Sequence, residues 1–341
     1  MLIRLFTAAF ALLGCLLAAG FWLLTKPIPQ DTSQAKPRLD AHVTQGLGAR
    51  GIAEELNTQG LGVNPDLFAL AARLSGAASS LKAGRYELPK DISTLELVDF
   101  LSQGKGVLSS ITLVEGFTSA QFIAQLKQRP DLIDDLVSNP ALEAKGVDLS
   151  QQIGRQLGLE GGHLEGWLFP DTYRYAPGSQ ISDLIKRAVR LQTEELNKAW
   201  SQRDPNTPLK TPYQALVMAS IVEKETGKAS DRPKVSSVFN NRLKVGMMLQ
   251  TDPTVIYGVG AAFDGNLTRR HLQTDTPYNS YTRTGLPPTP IANPSKASLY
   301  AAVRPEETPY YYFVAQGDGG SYFSKNLNEH NQAVRKYQLG R

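Results

Sequence analysis

The sequence predicts an α+β protein in three parts: an N-terminal transmembrane helix, a small α+β unit and a larger α+β body. Three observations carry this. Residues 5–24 form an apolar run without a single charge. Helical apolar spacing beginning at Gly51, at Asn64-Pro65-Asp66 and at Thr94 surrounds a strand-like stretch, residues 82–88. Beyond residue 108, strand and helix patterns alternate about one segment, residues 215–222, that is apolar on nearly every face. The boundaries drawn from these patterns are 1–4 for a short N-terminal tail, 5–24 for the anchor, 25–38 for a linker, 39–108 for the small unit and 109–341 for the body.

As a helix, the run at 5–24 covers about 30 Å, enough to span a bilayer. Arg4 flanks it on one side and Lys26-Pro27 on the other, with Trp22 where an interfacial aromatic would sit. A cleaved signal peptide has a shorter apolar core, roughly 7–15 residues. Leu12-Leu13-Gly14-Cys15 has the form of a lipoprotein cleavage site, but the apolar run continues through residues 16–24, where polar residues would follow such a cysteine. An uncleaved anchor is therefore expected. Lys26, Lys36 and Arg38 outnumber Arg4, so the charge count does not by itself place the N-terminus in the cytoplasm. Residues 25–37, with three prolines and no apolar period, read as a semi-extended spacer.

A chain of 341 residues suits two modest domains or one large one, at about 150 residues each. The 29 glycines and 21 prolines point to many ordered turns. A net charge of +4, with no Lys/Arg cluster interleaved with aromatics, gives no reason to expect nucleic acid as a partner. Cys15 is the only cysteine and lies in the apolar run, so the folded part has no internal disulfide to lean on. His42, His163, His271 and His330 show neither HxH nor HxxxH spacing. Neither a metal site nor a cofactor is expected.

Within the body, residues 109–114 read as a strand and 118–126 as a helix, residues 130–160 as helical, and 181–200 as a long amphipathic helix. Glu165 to Tyr173 is an aromatic-dense loop whose Trp167 and Tyr173 read as core residues. The helix of most chemical interest starts at Thr211-Pro212-Tyr213-Gln214, with Thr as N-cap, Pro at the first helical position and Gln placed to close a capping box. Gly227 is its expected stop. Its last turn carries Glu223-Lys224-Glu225.

A carboxylate at the C-terminal end of a buried helix meets the negative end of the helix dipole, and burial also disfavours its charge. Both raise its proton affinity, as a general acid acting on a glycosidic oxygen requires. The same three residues also read as a solvated helix end, and spacing alone does not decide between the two. Glu223 and Glu225 lie about 200° apart around the helix, so at most one of them faces a given cleft.

Ala219-Ser-Ile-Val-Glu-Lys-Glu-Thr226, Phe239-Asn-Asn-Arg-Leu243 and Leu249-Gln-Thr-Asp-Pro-Thr-Val-Ile-Tyr257 resemble the YceG-like endolytic murein transglycosylases. So do Tyr278-Asn-Ser-Tyr281, Thr284-Gly-Leu-Pro-Pro288, Ile291-Ala-Asn-Pro294 and Tyr311-Tyr-Phe-Val-Ala315, and the resemblance runs from about residue 40 to the C-terminus. It implies that Glu225 is the catalytic glutamate. It further implies a single-pass inner-membrane protein with residues 1–4 as a cytoplasmic tail and its C-terminal domain in the periplasm, a LysM-like glycan-binding domain ahead of the catalytic one, and peptidoglycan strands as substrate, with peptidoglycan synthases as partners. "ARGIAEEL" followed by "NTQGLG" is itself similar to LysM modules.

A hydrolytic glycosidase uses two carboxyls, whereas a lytic transglycosylase needs one, because the muramic C6 hydroxyl is the nucleophile and a 1,6-anhydro end results. Gln250, Asp252, Thr254, Tyr257, Asn279 and Tyr281 are the expected sugar-binding groups, each of which also reads as a turn-forming or structural residue. Glu223 is either structural or a like-charge neighbour that tunes Glu225. Two alternatives stay open on the residues: a muramidase with Asp252 or Asp171 as second carboxyl, and a non-enzymatic glycan-binding anchor.

Overall fold

The structure, a computed structural model, describes residues 14–15, 18–29, 38–89, 91–104 and 106–340. Most of the expected anchor, residues 5–13 and 16–17, and residues 30–37 of the linker lie outside the described residues. Residues 18–25 are helical. No helix among the described residues is long and apolar enough to cross a membrane. Two compact units are formed: one within Met1–Ser110 together with Asp131–Ile133 and Arg174–Gln180, the other from Ile111–Pro130, Asp134–Tyr173 and Ile181–Arg341.

In the first unit, β1 (Arg38–Val43) pairs antiparallel with β2 (Gly84–Pro89), Ala41 opposite Tyr86 and Val43 opposite Gly84. Between them run α1 (Ala49–Thr58) and α2 (Pro65–Leu74), and α3 (Thr94–Gln103) follows. Strand periodicity sends Tyr86 and Leu88 into the core while Arg85 and Glu87 stay outside. Asn64 caps α2 by accepting from the Asp66 and Leu67 amides, and Ser93 with Glu96 closes a reciprocal capping box on α3. Ile52, Leu56, Phe68, Tyr86, Leu97 and Leu101 form the buried centre. Leu132–Ile133 and Ser179–Gln180 add a short parallel pair to this unit.

The chain passes into the second unit along β3 (Ser109–Thr112), which pairs with β4 (Thr172–Tyr175). Then comes α4 (Ser119–Lys127), capped by Thr118 with Gln121. The helix expected over residues 130–160 is instead broken into α5 (Pro140–Glu143) and α6 (Leu149–Gln156). Pro130 and Pro140 lack the amide a continuing helix needs, and Gly146 and Gly158 take left-handed φ values of 76° and 66°. α7 (Ile181–Ser201) is long and amphipathic, as its spacing predicts.

At the centre lies α8 (Pro212–Glu225), with every residue of 215–222 buried. Around it pack α7, α9 (Arg232–Lys244), α10 (Asp252–Val259) and α12 (Lys296–Val303), the short α11 (Arg269–Gln273) lying between the last two in sequence. Being surrounded explains why α8 has no polar face. Thr211 accepts from the Gln214 amide at 3.2 Å, but the Gln214 carboxamide accepts from the Lys210 amide at 2.7 Å, so the capping box is not closed on Thr211 itself. The helix stops one residue earlier than Gly227, at an extended Thr226 with φ −146° and ψ 128°. A hairpin of β5 (Tyr312–Ala315) and β6 (Ser321–Ser324) and the helix α13 (Leu327–Tyr337) complete the unit.

Candidate active site

The early stop of α8 leaves Glu225 as its last helical residue, half-buried at the edge of a cleft of about 540 Å³. The cleft is also lined by Arg242 from α9, Leu249, Gln250 and Asp252 at the start of α10, Tyr281, residues 312–315 of β5, and His330 from α13. Thr251, buried between Gln250 and Asp252, donates its hydroxyl to Glu225 Oε1. Desolvation pushes the Glu225 carboxyl up to about 7, helped by the Asp252 charge and opposed by the Thr251 hydrogen bond and the Arg242 charge. Burial drives the Tyr281 phenol above its ordinary range, helped by the hydrogen bond its hydroxyl donates to Asp252 Oδ1 at 2.6 Å. Gln250 has a positive φ of 48°, which no other non-glycine among the described residues shares, and its amide donates to Ser280 O at 3.0 Å. The turn at Gln250 thus delivers Thr251 to Glu225.

Of the expected site residues, the cleft gathers Glu225, Gln250, Asp252 and Tyr281. The other four are not among its lining residues, and each spends polar atoms on the protein itself. Glu223 Oε2 accepts from the Ser295 amide at 2.9 Å and the Ser295 hydroxyl at 2.5 Å, anchoring the residue that caps α12. Thr254 is fully buried; its hydroxyl donates to Thr251 O and meets Ser280 Oγ, both at 2.8 Å. Asn279 donates to His271 O, Leu272 O and Thr274 O, and its carbonyl accepts from the Tyr281 amide. Tyr257 donates to Glu165 Oε2 at 3.1 Å and packs edge-on against Tyr278. Asp171 does not line the cleft, and its Oδ1 accepts from the Thr172 amide.

Sequence reasoning did not single out Thr251, Arg242, His330 or Glu165. Glu165 is 3% exposed and pushed up to about 7 by burial, against hydrogen bonds from the Ser119 amide, Ser119 Oγ and Tyr257. Asn293 ties the same region, its Nδ2 donating to Phe117 O at 3.0 Å and its Oδ1 accepting from the Leu168 amide at 2.9 Å. Spacing gives no signal for Arg242: α9 also carries Arg232, and only the fold shows that Arg242 is the buried one lining the cleft. Nothing in spacing alone distinguished Glu165 from a surface glutamate. Among the described residues no group of three or more His, Cys, Asp or Glu side chains is arranged to hold a metal ion.

The arrangement suits acid/base chemistry at one carboxyl. Glu225 can hold a proton near neutral pH, and the hydroxyl and guanidinium beside it stabilise the carboxylate left when the proton is given up.

The model of the YceG-like family matches residues 41–336. The endolytic murein transglycosylase of Bacillus subtilis (strain 168) is 33% identical in an alignment of 325 positions that covers 92% of this chain and 88% of that protein. The protein of the same name from Streptococcus pneumoniae serotype 2 is 28% identical in a gapped alignment of 372 positions that takes in 98% of this chain and 65% of that protein. Among solved structures, a YceG-like protein of Listeria monocytogenes is 29% identical with a TM-score of 0.52, covering 87% of this chain and 99% of that one. This chain belongs to the YceG-like family.

Proposed function

We infer that the protein is an endolytic murein transglycosylase, a lyase that cuts glycan strands of peptidoglycan and leaves a 1,6-anhydro-N-acetylmuramic acid end, so terminating strand elongation. The observation that carries this reading is Glu225, a largely desolvated carboxyl at the end of α8 whose proton affinity is raised to about 7 beside an open cleft. Its protonated form gives its proton to the oxygen bridging N-acetylmuramic acid to N-acetylglucosamine as the bond to the muramic C1 breaks. The resulting carboxylate takes the proton from the muramic C6 hydroxyl as that oxygen bonds to C1. The proton account closes at Glu225, no water is consumed, and the nucleophile belongs to the substrate, with the large effective concentration of an intramolecular group. Gln250, Asp252 and Tyr281 present polar atoms to the sugar in the same cleft.

The same reading extends to the rest of the chain. The uncharged run at residues 5–24 supports a single-pass inner-membrane anchor, with the remainder in the periplasm, where the substrate lies. The helices between the paired strands β1 and β2 support a LysM-like glycan-binding role for residues 39–108, and peptidoglycan synthases are the partners such an anchored enzyme would work beside. A second reading, hydrolysis by a muramidase, is favoured by one observation: Asp252, a second carboxyl, lines the cleft with Glu225. Digestion of purified sacculi by the wild-type protein and by Glu225→Gln, with the new ends analysed by mass spectrometry, tests the proposal. Anhydro ends with the wild type and none with the variant are expected. Full activity in the variant would remove Glu225 from its role.

A further inference from the structure

We propose that Arg242 is a positioning residue for the cleavage reaction: its guanidinium staples the turn that delivers Thr251 to Glu225 onto the strand lining the same cleft, and keeps a positive charge at hand for the carboxylate that Glu225 becomes. This rests on the reading of Glu225 as the acid/base group. Arg242 is only 7% exposed, so little of it is free to serve as a surface contact for substrate. Its Nε donates to Tyr311 O at 2.7 Å, just before β5, and its Nη1 donates to Leu249 O at 2.8 Å and Met248 O at 3.3 Å. The guanidinium also lies over the Tyr312 ring, 5.1 Å from its centroid. One side chain therefore joins two segments some sixty residues apart in sequence.

The tie falls where the backbone needs holding. Leu249 immediately precedes Gln250, whose left-handed φ of 48° a non-glycine residue adopts only at a cost in strain. Thr251, next in line, is fixed by Ser280 through its amide at 3.0 Å and gives its hydroxyl to Glu225. A planar fork with donors at set angles can serve carbonyls from both segments at once, which a lysine ammonium at the same place does not reproduce.

The charge has a separate effect. The groups facing Glu225 are Asp252 from α10, the Tyr281 hydroxyl, Thr251, and Arg242 from α9, with His330 of α13 further along the cleft wall. Burial first, and then the Asp252 charge, favour the protonated carboxyl, while Thr251 and, least of all, Arg242 favour the carboxylate. His330 is held towards its neutral form by burial and by Arg242 itself, leaving Arg242 as the lasting cation among the residues that line the cleft.

The test is a 13C NMR titration of the Glu225 carboxyl in the unliganded protein, assigned by its disappearance in Glu225→Gln, for wild type, Arg242→Met and Arg242→Lys. It is run beside kcat and KM on peptidoglycan and a thermal-melt check of folding. Arg242→Met should raise the proton affinity of Glu225 by about two- to threefold, a modest effect because the Arg242 charge is the weakest of the influences on that carboxyl, and lower kcat with little change in KM. Arg242→Lys should leave the titration near the wild-type position and still lower kcat, because the charge is kept and the staple is lost. An unmoved Glu225 midpoint in Arg242→Met, or an unchanged kcat in Arg242→Lys, overturns the proposal. Should Arg242→Met fail to fold, the kcat of Arg242→Lys decides. The titration needs no turnover, so its outcome is independent of whether Glu225→Gln retains activity, the result that would instead sink the catalytic reading.

Discussion

Replacing Glu165 by glutamine should remove a pH dependence of stability that the fold builds into its second unit. Glu165 is buried among Ser119, Tyr257 and Asn293, and its carboxyl is raised from an ordinary 4.5 to about 7. Between those values the folded chain holds a proton that the unfolded chain has released. Stability therefore falls as pH rises through the window: the contribution is fully present below 4.5 and gone above about 7. Integrated across the window, the change is about 3 kcal/mol at 1.36 kcal/mol per pKa unit. Glu225 titrates in the same direction and would blur the reading, so the comparison belongs in a Glu225→Gln background, with and without Glu165→Gln. Urea unfolding followed by tryptophan fluorescence at intervals from pH 4 to pH 8 reads the difference directly, with Trp167 two residues away as a reporter. Carboxylates whose affinities are lowered, such as Asp135 and Glu195, and the buried His163 contribute equally to both proteins and cancel. The gap between the two stabilities should move by about 3 kcal/mol in favour of the glutamine variant as pH rises. A gap that does not change with pH would refute the reasoning.

Two further outcomes follow from the partners of the paired glutamates. Thr251→Val removes a hydroxyl that favours the Glu225 carboxylate, so the loss of activity on the alkaline side, expected as pH rises through about 7, should move to higher pH in a pH–rate profile. The same variant should lose roughly tenfold or more in kcat, the worth of a hydrogen bond to a charged group; an unmoved limb counts against the geometry. Glu223→Gln keeps an acceptor for the Ser295 amide but weakens its charge-assisted bonds. Cleavage should stay within about twofold of wild type while stability drops by about 1–2 kcal/mol, measured by chemical unfolding. Abolished cleavage there would mean that the wrong glutamate had been chosen.

What could be read from the sequence was local. The Thr211 cap, Pro212 at the first helical position and the apolar residues 215–222 locate α8 and its burial, and the angular separation of Glu223 and Glu225 anticipates their different partners. Helix propensity overreached across residues 130–160, where two prolines and left-handed glycines outweigh the apolar pattern. The harder part was direction. Thr254, Tyr257 and Asn279 have side chains as suitable for sugars as Gln250 or Tyr281, yet tertiary contacts turn them to Ser280, Glu165 and the carbonyls of residues 271–274. The same limit hid Arg242, whose meaning depends on carbonyls at 248–249 and 311, and Glu165, whose burial comes from segments at 119, 257 and 293. Such contacts have no sequence period, so no spacing rule finds them.

The central claim is that one carboxyl, Glu225, serves a nucleophile that belongs to the substrate. Digestion of peptidoglycan in water enriched with heavy oxygen, followed by mass spectrometry of the released muramic ends, tests it most directly. The intramolecular route predicts 1,6-anhydro ends carrying no label. Reducing ends with heavy oxygen at C1 would instead show that water is the nucleophile, with Asp252 as the second carboxyl in the cleft.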